Sequence, residues 1–205
     1  IKMLGIDLVS FSGHKLYGPR GVGVLVTRRQ RGKAPITAQL FGGRHQGGLR
    51  SGTLNVPGIV GLARAMELAN DELSTETSRL DRLRNRLFGG LQEQLEGVVL
   101  NGPPLGDPSM RLAGNLNVQF RYVDGESLML STGGQVALSA GSACTAAEPA
   151  PSHVLKALGL NDDAVRSSLR FGLGRFTTES EIDATIKILA ESVKRLRAMS
   201  SMTGQ

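Results

Sequence analysis

Apolar positions along this chain switch between two spacings, and each switch marks an element. Ile6 to Phe11 (Ile-Asp-Leu-Val-Ser-Phe) reads as a short buried strand. Gly18-Pro-Arg-Gly21 is a turn and Val22 to Thr27 a second apolar strand, so the two form a hairpin-like pair with Lys15 near their connection. Phe41 to Gly52 is a glycine-rich loop. Pro57 suits a helix start, and Ile59, Leu62, Ala63, Met66 and Ala69 recur at helical spacing to about Ala69. From Asp71 to Leu95 a long helix is predicted, with Leu73, Leu80, Leu83, Leu87, Leu91 and Leu95 as its apolar stripe. Arg79, Arg82 and Arg86 would form its wet face, and Gly89-Gly90 would weaken its end.

The second half continues the alternation. Val98 to Leu100 and Leu116 to Phe120 read as strands, Gly125 to Ser131 as a helix, and Val136 to Leu138 as a short strand. Pro151 to Leu158 is predicted as a helix with Ser152 and His153 in its first turn, and Ser167 to Phe171 as a strand. Thr178 with Glu181 forms a capping box for a last helix to about Ala198, leaving Met199 to Gln205 as a frayed tail. Alternating strands and helices define an α/β or α+β class. Composition shifts near Asn70 to Ser74, from glycine-rich and strand-rich to a helix-and-strand unit, which divides the chain into 1–72 and 73–205.

Composition narrows the function. The net charge is +6, but the arginines are scattered apart from Arg28, Arg29, Arg31 and Lys33. Trp is absent and aromatics are 4%, so no stacking platform for bases is visible and direct nucleic-acid binding is not expected. No apolar run approaches the roughly 20 residues that span a bilayer, so no membrane partner is expected. One cysteine, Cys144, excludes an intrachain disulfide and a multi-cysteine zinc site, and no metal is expected. A lone thiol fits a reducing compartment, the cytoplasm or an organelle matrix. The chain opens on Ile1 in the approach to a strand, which reads as part of a longer polypeptide or one half of a split one.

Four segments could carry chemistry. Ser12-Gly-His-Lys15 places an amine just past a buried strand, where desolvation favours the reactive neutral form, with a hydroxyl and an imidazole beside it. The same tetrapeptide also fits an ordinary turn. Arg50-Ser-Gly-Thr53 offers charge, a hydroxyl and approachable backbone N–H groups to an anion, or simply turns a corner. Ser139-Ala-Gly-Ser-Ala-Cys-Thr145 surrounds a thiol with small residues, which suits an exposed nucleophile; a buried cysteine acting as a small hydrophobe is the alternative. Arg166, Ser168 and Arg170 would share one strand face, where an arginine can clamp a carboxylate through two parallel hydrogen bonds or serve a surface ion pair.

Taken together and in this order, the segments resemble cysteine desulfurases of the NifS/IscS type, group I of the class-V aminotransferase family. Ser10-Phe-Ser-Gly-His-Lys-Leu-Tyr-Gly-Pro-Arg-Gly21 is similar to their cofactor-lysine segment. Arg50-Ser-Gly-Thr-Leu-Asn-Val-Pro57 is similar to their glycine-rich phosphate loop, Ser139 to Thr145 to their persulfide-forming segment, and Arg166 to Glu179 to their substrate-arginine strand and last-helix cap. The likeness runs from Ile6 to about Ile188. Gln46 departs from it, standing where the family often has Glu.

The resemblance implies the fold type I architecture of pyridoxal-phosphate transferases, aspartate-aminotransferase-like. Residues 1–72 would be the C-terminal part of the large cofactor-binding domain and 73–205 the small α+β domain with the persulfide cysteine. Lys15 would hold pyridoxal 5'-phosphate, Ser12 and His14 would contact its phosphate, and Thr53 would reach the phosphate of the partner subunit in a homodimer. Arg170 would bind the carboxylate of L-cysteine. Cys144 would take the sulfur as a persulfide, leave L-alanine, and pass the sulfur to an iron–sulfur scaffold or sulfur-relay protein. The upstream half of the family supplies the rest of the cofactor cradle, so these 205 residues are expected to be inactive alone. A selenocysteine lyase-like enzyme and a non-catalytic half-subunit of a split desulfurase are the alternatives.

Overall fold

The computed structural model describes residues 5–27, 36–107, 109–140 and 151–202. Its contacts divide the chain into two compact units, Ile1–Leu73 and Ser74–Gln205.

The first unit is a β-hairpin and a helix. Strand β1 (Leu8–Ser12) pairs antiparallel with β2 (Gly23–Thr27), from Leu8 opposite Thr27 to Ser12 opposite Gly23. Neither strand has a fully buried residue, contrary to the buried strand expected at Ile6–Phe11: Leu8 and Leu25 are about half exposed. A two-stranded ribbon lacks the second layer that would cover both faces. Helix α1 (Val56–Asp71) starts where the Asn55 side chain accepts from the Gly58 N–H at 3.1 Å, with Pro57 in the first turn, where a missing N–H costs nothing. Gly61 faces Pro19 so closely that a Cβ would lie 2.7 Å from its ring, which brings α1 against the turn after β1.

The second unit is a two-layer α/β sandwich. Its antiparallel sheet has the order β3 (Val98–Leu100), β4 (Asn115–Phe120), β5 (Ser168–Gly172). Helices α2 (Leu73–Gln94), α3 (Gly125–Ser131) and α6 (Glu179–Met202) supply the other layer. Leu83, Leu87 and Leu91 from α2, Leu128 from α3 and Leu189 and Val193 from α6 close over Leu116, Val118, Phe120, Leu169 and Phe171 of the sheet. Phe120 and Phe171 meet edge to face, with ring centroids 6.5 Å apart. Two short helices, α4 (His153–Ala157) and α5 (Asp162–Arg166), lead into β5.

Several expectations are corrected. Val136–Leu138 is not a strand: only Ser139 forms an isolated bridge, to Arg170. Arg166 ends α5 rather than lying in β5, because Asn161 caps a turn whose Asp163 pairs with it at 2.6 Å. Ser152 is the cap of α4 rather than a first-turn residue, and α6 continues past Ala198 to Met202. The Thr178–Glu181 capping box is formed in both directions, at 2.8 and 3.3 Å.

The arginines of α2 do more than face water. Arg84, unremarked in the sequence, is 1% exposed; it pairs with Asp81 and donates to the carbonyls of Ala113 and Leu105 at 3.3 and 3.2 Å. Arg79, expected on the wet face, is three-quarters buried and donates to the carbonyls of Thr177, Gly174 and Arg175 at 2.7 to 3.0 Å. It thereby holds the connection from β5 to α6. Glu76 orients it at 2.8 Å, and the hydrogen bond from Arg79 keeps the Glu76 carboxyl below the usual carboxylate range.

A carboxylate whose pKa is depressed by folding stabilises the fold above its unfolded value, about 4.3 for Glu, and loses that contribution as pH falls through the folded value. Acid titration of unfolding free energy should therefore be steeper below about pH 5 in the native chain than in Glu76→Gln. Equal slopes would show that Glu76 does not carry Arg79. Within α2, a Cβ on Gly89 meets nothing within 4 Å, whereas one on Gly90 would lie 2.5 Å from Ile186 Cδ1. Urea unfolding should show Gly89→Ala stabilising by about 0.5–1 kcal/mol, through helix propensity alone. Gly90→Ala should fail to match it, because Ile186 must move.

Candidate active site

Lys15 is placed by short-range constraints. Ser12 ends β1, and the buried Gly13 opens a single 3-10 turn, Gly13–Leu16. The Gly13 N–H donates to the Val22 carbonyl at 2.9 Å, and its own carbonyl accepts from Gly18 at 3.0 Å. A Cβ there would lie 3.0 Å from both the Pro19 oxygen and Val22 Cγ1, so any side chain would press on the turn that follows. His14 and Lys15 follow, both exposed, and Tyr17 closes the turn in the left-handed region at φ 60°. Ser12, His14 and Lys15 thus put a hydroxyl, an imidazole and a primary amine at one hairpin tip.

The glycine-rich loop folds on itself within the same unit. Leu40 bridges Arg50, the Ser51 N–H donates to the Leu40 carbonyl at 3.2 Å, and the buried Ser51 hydroxyl donates to the Gly43 carbonyl. Its short 3-10 turn, His45–Gly48, carries Gln46 at φ 50° beside Gly47 and Gly48 at φ 67° and 82°. Consecutive left-handed residues demand glycines, and Gln46 holds a conformation that a side chain adopts at a cost of about 1–2 kcal/mol. Thr53 is exposed between this loop and α1.

Arg170 belongs to the second unit. It is exposed at the centre of β5, and its guanidinium makes no ion pair among the described residues. Its N–H donates to the Ser139 carbonyl at 2.7 Å. Ser168, two residues before it on the same face, is fully buried and bonded to Asn101 at 2.8 Å. Cys144 lies outside the described residues.

The sequence reading missed the polar face around Arg170. β4 alternates Asn115, Leu116, Asn117, Val118, Gln119 and Phe120, and its burial alternates with it. That period of two was the available signal: it puts Asn115, Asn117 and Gln119 on the side away from the core.

The aminotransferase class-V family matches residues 1–185, and the chain belongs to that family. It is 48% identical to the cysteine desulfurase IscS of Anaeromyxobacter dehalogenans (strain 2CP-C) over 202 residues, 98% of this chain and 48% of that protein. It is 50% identical to the cysteine desulfurase IscS of Escherichia coli (strain K12 / DH10B) over 203 residues, again 98% and 48%. Among solved structures, a NifS-like protein matches with a TM-score of 0.78 at 34% identity, over 95% of this chain and 48% of that one. DndA from Streptomyces lividans matches with a TM-score of 0.63 at 36% identity, over 82% and 46%. The chain spans about half the length of the relatives it matches.

Class-V aminotransferases and cysteine desulfurases are pyridoxal-phosphate enzymes. The groups at the hairpin tip fit that cofactor: an amine suits an aldehyde, and a hydroxyl and an imidazole suit a phosphate. Gly13→Ala should lower the unfolding free energy by about 1–3 kcal/mol, since the new methyl must displace Pro19 or Val22. Unchanged stability in thermal unfolding would show that the turn bearing Lys15 is not sterically set.

Proposed function

We propose that this chain carries the lysine, thiol and substrate arginine of a cysteine desulfurase, which moves sulfur from L-cysteine to Cys144 and releases L-alanine. The observation that carries this reading is the Ser12–Lys15 tip, in a chain 48% and 50% identical to two IscS desulfurases. Residues 1–72 are the C-terminal part of the large domain and 73–205 the small domain of the fold.

Each residue has a chemical role. Lys15 holds pyridoxal phosphate through its Nζ, with Ser12 and His14 donating to the phosphate and Thr53 donating to that of a partner subunit in a homodimer. Bound pyridoxal phosphate supplies the electron sink that weakens the substrate C–S bond. Arg170 takes the substrate carboxylate between parallel N–H donors and so fixes which end of the amino acid it holds. The Cys144 thiolate attacks the substrate sulfur: an S–S bond forms, the C–S bond breaks, and the carbon left behind gains a proton to become the methyl of alanine. The persulfide sulfur then passes to an acceptor thiol on an iron–sulfur scaffold or a sulfur-relay protein. We place this chemistry in the cytoplasm, where thiols stay reduced.

Intact-protein mass tests the reading, on a protein that joins these residues to the remaining half of the class-V chain. After incubation with pyridoxal phosphate and L-cysteine, the native protein should gain sulfur, and Cys144→Ala should not. Lys15→Ala should reduce alanine formation by at least about 10³-fold, as expected when a covalent catalytic group is removed. No added sulfur in a cofactor-loaded native protein would overturn the persulfide role.

A further inference from the structure

Four polar residues form one cross-strand row on the face of the second unit's sheet turned away from its apolar core. Asn101, one residue beyond β3, donates its N–H to the Asn117 carbonyl at 3.0 Å and so lies opposite Asn117. Asn117 lies opposite Arg170, and Arg170 opposite Ser139. Opposed residues of antiparallel strands project to the same face, so the Asn117 and Arg170 side chains are neighbours.

The hydrogen bonds of this row have a single direction. The Ala164 carbonyl can only accept, so the Ser168 hydroxyl donates to it, at 2.6 Å. With its proton committed, Ser168 must accept from Asn101, and the Asn101 atom 2.8 Å away is therefore Nδ2. The same Nδ2 lies 2.7 Å from the Asn117 side chain, so the Asn117 atom it meets is Oδ1. Both protons of Asn101 Nδ2 are then in use. Asn101 is 5% exposed and Ser168 fully buried, which shields the relay from competing water. Arg111 fixes its outer end by donating to the carbonyls of Asn101 and Pro103 at 2.7 and 2.6 Å. What remains is Asn117 Nδ2, a pair of N–H donors without a partner among the described residues, beside a guanidinium that makes no ion pair among those residues either.

We infer that Asn117 is a second recognition residue for the carboxylate that Arg170 binds, its amide held as a donor by the buried Ser168–Asn101 relay. This rests on the proposed role of Arg170. Asn117 Nδ2 and the guanidinium are both donors, so they do not bond each other; an anion satisfies both at once. A carboxylate has lone pairs for the two parallel Arg170 donors and for one amide N–H besides. Asn101 and Ser168 are positioning residues that touch no ligand. The expected ligand class is a free α-amino acid, whose carboxylate presents both oxygens.

Side-chain NMR of the ¹⁵N-labelled 205-residue chain tests this, with L-alanine as the titrant. The Arg170 Nε–H and Asn117 Nδ2–H₂ signals should shift together along one saturation curve. Asn117→Leu, close in size but without donors, should weaken that binding about tenfold, the worth of one hydrogen bond to a charged group. Asn117→Asp should abolish it, by supplying Arg170 with an internal carboxylate. In the assembled enzyme, Asn117→Leu should raise the KM for L-cysteine about tenfold and leave kcat within about twofold. An Arg170 response without an Asn117 response, or unchanged affinity in Asn117→Leu, would overturn the inference while leaving the desulfurase reading intact. A paired response in a protein whose Cys144 gains no sulfur would sink the desulfurase reading and leave this one standing. No response at either residue would overturn this inference.

Discussion

The second unit depends on one strand being apolar on one side and polar on the other. Leu116, Val118 and Phe120 of β4 have no exposed surface, and they sit in the middle strand of the sheet, between β3 and β5. Each such side chain contributes about 1.5–3 kcal/mol by leaving water, which is enough to fix the register of the whole sheet. A slip of one residue would bury Asn115, Asn117 and Gln119 in place of the leucine, valine and phenylalanine. The polar face is therefore positioned by hydrophobic burial on the opposite face: Arg170 stands where it does because Leu169 and Phe171, on either side of it, are in the core.

The first unit is built on a different principle. Among its described residues it has little core of its own, with Leu62 and Ala65 as the buried apolar side chains. Its local shape comes from glycines that leave no room for a side chain and from short backbone hydrogen bonds. Gly13, Gly61 and the left-handed run Gln46–Gly48 set the path of the chain at the tip and in the loop. Steric constraints of this kind place Lys15 with few contacts to its side chain, which leaves the amine accessible.

Much of this was legible in the sequence. Period-two and period-3.6 patterns predict β4, α1, α2, α3 and α6 to within a few residues, because those elements have one face in a core and one in water. Short elements were harder. α5 is hidden because its Asn161 cap and acidic first turn have the composition of a loop, and its last residue, Arg166, shares the period-two spacing of the strand that follows. Val136–Leu138 has strand-like residues but no pairing neighbour among the described residues, and pairing is a tertiary event that composition does not encode. The inward turn of Arg84 and Arg79 was equally invisible, since an arginine's periodicity is the same whether its guanidinium meets water or backbone carbonyls. Of the candidate site, the residue types and their order were readable; the Asn101–Asn117–Ser168 relay, made of side chains far apart in sequence, was not.

The bridge between Ser139 and Arg170 also bears on self-association. β5 is an edge strand, and an open edge invites a strand from another molecule to add to it. Ser139 is bonded to the backbone of Arg170 at the centre of that edge, and Arg170 also carries a charged side chain. An incoming strand would have to displace a formed hydrogen bond and lie alongside a cation. Ser139 therefore also blocks a further strand from adding at the β5 edge.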